Sequence, residues 1–104
     1  MLSACQQSDV AVVDTPRDAL GVSFQALTDV AQARDSALRV GIITQAEADK
    51  VTAGLTDAFD RLSAASVAIQ RGEQAGYTQN MAAASALIDQ LQTELIKARQ
   101  RRAN

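Results

Sequence analysis

The chain has 104 residues, 47% of them apolar, and a formal net charge of −2. That is the length of one domain, too apolar for an intrinsically disordered chain and without the basic excess that a general nucleic-acid binder needs. One cysteine excludes an internal disulfide framework, and the absence of histidine removes most zinc arrangements.

The apolar set is dominated by alanine, with Phe24, Phe59 and Tyr77 the only aromatic residues. Alanine enters a helix with no loss of side-chain freedom, so it favours helix more than any other residue. The β-branched and aromatic residues that strands favour are scarce after Val13. No stretch approaches the roughly 20 apolar residues needed to span a bilayer. The expected fold class is therefore all-α.

Residues 1–15 lack helical periodicity and read as a flexible lead, ending in the short apolar run Val10-Ala11-Val12-Val13. Thr15 is then a suitable N-cap, with Pro16 at the first helical position, where a missing N–H is harmless. Asp18 places negative charge in the first turn, where the helix dipole favours it. Leu20, Phe24, Leu27, Ala31, Arg34 and Leu38 follow at alternating spacings of four and three, one helical face interrupted by Arg34. Gly41 suits the left-handed residue that ends a helix, with Ile42 packing back on the last turn. The first helix is thus expected at about 16–39.

Thr44-Gln45-Ala46-Glu47 is a capping box, in which the threonine hydroxyl and the glutamate carboxylate each satisfy a free backbone N–H. Val51, Leu55, Ala58, Leu62, Ala65 and Ile69 repeat at the same spacing, and Phe59 widens the stripe. Gly54, inside this helix, costs up to about 1 kcal/mol relative to alanine, which is explained by a neighbouring helix approaching closely. The second helix runs over about 45–71, and Gly72 to Gly76 read as a loop. A third helix is expected at 78–101, with Met81, Ala84, Ile88, Leu91, Leu95 and Ala98 as its stripe. Short connections make consecutive helices antiparallel neighbours. The expected architecture is an elongated up-down-up three-helix bundle over 16–104, with coiled-coil-like packing.

Candidate chemistry is sparse. Asp57 and Asp60 share a helical face, as paired catalytic or metal carboxylates do, but Arg61 adjoins them and they lie off the apolar stripe, so they read as solvated surface. Nucleophilic catalysis by serine or threonine needs a base, and no histidine is present to serve. Gly72 and Gly76 do not form a phosphate-binding loop. The chain is expected not to be an enzyme and to take no cofactor, metal or small-molecule substrate.

Two features point to interaction instead. Arg34 either snorkels to the edge of the bundle or pairs across it with Asp60 or Asp89. The charge is also uneven: residues 1–60 carry nine acids and four bases, residues 61–104 three acids and six bases. The basic end holds Lys97, Arg99, Arg101 and Arg102, which either complement the dipole of their own helix or meet an anionic partner. Arg34, Phe59, Arg99, Arg101 and Arg102 are the candidate interaction residues. The lean alanine-rich core is either stable alone through its high helix propensity or completed against a second copy or a partner helix, with self-association the favoured reading.

Leu2-Ser3-Ala4-Cys5 resembles the lipobox of bacterial lipoproteins, including small prophage-encoded ones. In that family the peptidase cuts before the cysteine, whose sulfur carries a diacylglyceryl group. The resemblance rests on those four residues and implies that Cys5 is the lipidated mature N-terminus. It also implies an export signal with a positive and an apolar stretch ahead of Leu2. Residues 6–15 then become a tether reaching about 30 Å when extended. Gln6, where an aspartate favours inner-membrane retention in enterobacterial lipoproteins, implies the periplasmic side of the outer membrane. The expected function is a non-enzymatic envelope lipoprotein acting through protein–protein interaction. The alternative is a soluble helical adaptor or self-assembling subunit of the cytoplasm or a phage virion.

Overall fold

The computed structural model describes residues 15–103; residues 1–14, with Cys5 and most of the expected lead, lie outside them. Three helices are present among the described residues: α1 (Pro16–Arg39), α2 (Gln45–Gln70) and α3 (Gln74–Ala103). The first two stand where periodicity and capping place them. Thr15 accepts from the Asp18 amide at 3.1 Å, with Pro16 leading the helix. The capping box of α2 is complete: the Glu47 amide donates to Thr44 Oγ1 at 3.1 Å, and the Thr44 amide donates to Glu47 Oε1 at 2.9 Å.

Both helix ends close in the same way. Gly41 has φ +80° and Gly72 φ +73°, a conformation open to glycine because it has no Cβ to clash. Ile42 N donates to Ala37 O and Gly41 N to Leu38 O. Glu73 N and Gly72 N repeat this pattern onto Ala68 O and Ile69 O. These paired bonds satisfy carbonyls that a helix end leaves free.

The third helix corrects the expected boundary. It begins at Gln74 rather than 78, so the connection is only Arg71-Gly72-Glu73. Gly76 therefore lies in the first turn of α3 and not in a loop. A glycine there is tolerated because the first-turn amides have no helical partner in any case. It faces α2, where a Cβ at Gly76 would make an ordinary contact, 3.4 Å from the Ala68 Cβ.

The contacts fix the directions. Between α2 and α3, Glu47 meets Arg101, Gly54 meets Leu91 and Ala68 meets Gly76. One number rises as the other falls, so these helices are antiparallel. Arg34 with Thr52 and Phe24 with Phe59 show the same for α1 and α2. The walls shared by α1 and α3 rise together, Val22 with Ser85 and Ala33 with Ile96. The expected up-down-up bundle is present. Its α2–α3 interface is the most extensive, and its α1–α3 interface the least.

Gly54 has the role expected of it. A Cβ there would lie 2.7 Å from Leu91 Cδ2, well inside contact distance. The stripe of α3 is also buried as expected from Ala84 to Ala98, with Met81 half-buried. The stripe of α1 is rotated. Its buried residues are Leu20, Val30 and Ala37, while Phe24, Leu27, Ala31, Arg34 and Leu38 are half-buried. The middle of the expected stripe, Leu27, Ala31 and Arg34, lines a groove with α2. A helix in a three-helix bundle faces two neighbours, and its deepest residues fall between them.

Candidate functional site

The groove between α1 and α2 gathers two of the residues singled out from sequence. Its walls are Leu27, Ala31, Leu55 and Phe59, with Arg34 and Thr52 at one end. At the other end Phe59 meets Phe24 edge-to-face, ring centroids 5.9 Å apart, a favoured aromatic geometry. Phe59 is still half exposed, at 51%. Arg34 does not reach Asp60 or Asp89. Its Nε donates to the adjacent Asp35 at 2.9 Å, and Nη1 donates to Thr52 Oγ1 across the helix pair. The reason is reach: Asp35 adjoins it in sequence, and Thr52 stands opposite it on α2. The groove is apolar along its floor and carries its charge at one rim.

The basic end of α3 splits into separate roles. Arg101 forms an ion pair with Glu47 Oε2 at 2.9 Å. Arg102 Nε reaches the Ile42 carbonyl at 3.5 Å, a long and weak contact. Both therefore close over the α1–α2 turn. Glu47 is held below the usual glutamate range, first by the Thr44 amide, then by Arg101, the Thr44 hydroxyl and Arg102, with desolvation opposing them. Arg99 points elsewhere. It lines a groove between α1 and α3 with Asp29, Val30, Ala33, Leu95 and Ile96.

Asp57 and Asp60 are exposed and share a shallow recess with Arg61 and Asn80, the solvated surface expected of them. Among the described residues no polar or charged side chain is buried. Nor does any group of three or more cysteine or acidic side chains among them come together as a metal site would need. No described helix is long and apolar enough to cross a membrane. Cys5 lies outside the described residues.

Four exposed apolar residues were missed by reading one stripe per helix. Val22, Val40, Val67 and Ile96 are 53%, 65%, 44% and 53% exposed. Val22 and Ile96 line the α1–α3 side, and Val40 follows Val22 by 18 residues, five full helical turns. A second series on α1, Val22-Ala26-Asp29-Ala33-Ser36-Val40, repeats the four-three spacing and was the available signal.

Compared with protein families, curated proteins and solved structures, the chain matches none.

Proposed function

We propose that this protein is a small, non-enzymatic helical module of the bacterial envelope, anchored by lipid on Cys5 and acting by binding other proteins. The observation that carries the reading is the order Leu2-Ser3-Ala4-Cys5, then ten residues, then a helical body that starts at Pro16. Small residues before a cysteine suit a narrow peptidase cleft, and ten residues, if fully extended, span about 30 Å between an anchor and the bundle. Each buried methylene of an acyl chain contributes about 0.8 kcal/mol, so several chains hold the protein durably. The body supports a binding role through the half-exposed Phe59 in its apolar groove, since aromatic residues in such settings anchor protein interfaces.

The test is the intact mass of the protein expressed from its native locus with its upstream sequence. A mature form beginning at Cys5 with added acyl mass is expected, and Cys5→Ser is expected to abolish that mass. An unmodified chain retaining Met1 overturns the anchored reading and leaves a soluble adaptor as the account of the bundle.

A further inference from the structure

The side of the bundle formed by α1 and α3 carries a pattern that repeats under rotation. Here α1 and α3 run parallel: Val22 and Ala26 share one recess with Ser85 and Asp89, and Asp29 and Ala33 share the next with Gln92 and Ile96. Matched in order, these residues are 63 apart in sequence, which sets the register between the two helices. Ala31 is midway between the exposed Val22 and Val40, and it is level with Glu94 on that register. Glu94 is itself midway between Asp89 and Arg99. Both of the latter are exposed, and the ion pairs among the described residues involve neither of them.

We infer that this face binds a second copy of the chain, antiparallel, about a two-fold axis crossing α1 and α3 at the level of Ala31 and Glu94. Rotation about that axis lays α1 on the partner's α1 and α3 on the partner's α3. It sets Val22 against the partner's Val40 and Asp89 against the partner's Arg99. Each contact occurs twice, as a self-complementary interface requires. Ile96, 53% exposed, falls beside the axis, where an apolar side chain loses most water on pairing. Val22 and Ile96 are apolar residues left on the bundle's least extensive interface, and helices of a second copy complete that layer.

The charges select the partner and its direction. With the axis along the helices, α1 would face the partner's α3, setting Asp89 opposite the partner's Ala26 and Arg99 opposite the partner's Ser36, so neither charge would gain a partner. The antiparallel arrangement pairs each acid with a base, and opposite charges placed together set the direction. The overlap from Val22 to Val40 is about 27 Å long at 1.5 Å per residue. It is two helices, or about 20 Å, wide. That lies at the small end of stable interfaces, so the dimer is expected to dissociate in the micromolar range. The inference does not depend on lipidation of Cys5.

The test uses the full chain carrying Cys5→Ser, which removes the native thiol. Sedimentation equilibrium up to about 300 µM, well above the range expected for a small interface, is expected to show twice the chain mass of 11.0 kDa. Arg99→Glu sets two acids together at both ends and is expected to weaken the dimer about tenfold or more. Combining it with Asp89→Arg is expected to restore the dimer, which a merely structural role for Arg99 would not do. Far-UV circular dichroism checks that each variant remains helical.

A second variant fixes the geometry. Val22→Cys with Val40→Cys, oxidised, is expected to give a covalent dimer whose linked peptides join position 22 to position 40. Position 22 lies in α1 and position 40 just past its end, about 27 Å apart in one chain and far beyond disulfide reach, so such a link joins two chains. A monomer throughout the concentration range overturns the inference. So does a dimer indifferent to Arg99→Glu, or one linked only between like positions.

Discussion

The two ends of the bundle are built from the same helices but sealed differently. At the end holding the α1–α2 turn, Ile43 leaves the turn to join a buried cluster with Val30, Val51, Leu91 and Leu95. The turn is braced from outside by the capping box and by Arg101 on Glu47. At the end holding the α2–α3 turn, the buried cluster is smaller: Leu20, Leu62, Ala65 and Ala84. Half-buried Phe24, Met81 and Tyr77 cover it, and Tyr77 Oη donates to the Pro16 carbonyl at 3.3 Å. Identical backbone closures at Gly41 and Gly72 thus support unequal cores. The lesson is that a helix-ending motif fixes where the chain turns, while the residues just beyond it decide how much apolar surface the turn buries. Ile42 and Ile43 do this at one turn; the exposed Glu73 and Gln74 do not at the other.

The comparison is broken most directly at Leu62, the one large side chain of that small cluster with no exposed surface. Leu62→Ala is expected to destabilise the protein by about 2–5 kcal/mol, because the cavity it leaves is only partly filled by relaxation. Urea unfolding would measure it as a lower midpoint with unchanged slope. Filling space at the middle of the bundle comes next. Gly54→Val is expected to cost about 1–3 kcal/mol by driving a side chain into Leu91. Shortening Leu91 in the same protein should recover part of that loss in thermal melts, since the two positions are in contact and so couple.

A smaller effect sharpens the difference between the turns. Thr44→Ala removes the side-chain cap of α2 and is expected to cost about 1 kcal/mol, measured by urea unfolding with the Leu62 variant alongside. The smallest is pH-dependent. Glu47 has a lower pKa folded than unfolded, so its stabilisation is complete above the usual glutamate range. It is lost as pH falls through the folded value. Glu47→Gln is expected to flatten the acid side of the stability profile while leaving the helix content unchanged, as read by thermal melts across pH.

The candidate site was legible in part. Phe59 and Arg34 stood out because one widens an apolar stripe and the other interrupts it, and the structure places both in the α1–α2 groove. The role of Arg34 was not legible. Its partners, Asp35 and Thr52, depend on which residue of α2 stands opposite, and spacing within one helix does not carry that register. Arg101 and Arg102 were visible as a basic end, but their contact with the α1–α2 turn depends on α3 continuing to Ala103 alongside α2.

Local chemistry in the sequence determined the helices themselves. Alanine content, four-three spacing, Thr15 and Thr44 as caps, and Gly41 and Gly72 as terminators each act within a few residues, where the chain needs no knowledge of its fold. Gly54 even announced a close approach. Tertiary structure alone decided which side of α1 is deepest, because burial between two neighbours is set by both. It also decided that α3 starts at Gln74, which places Gly76 in the first turn against Ala68. The second series, from Val22 to Val40, is written in the sequence, but only the packing of the three helices leaves its two valines exposed while Ala26 and Ala33 lie against the core.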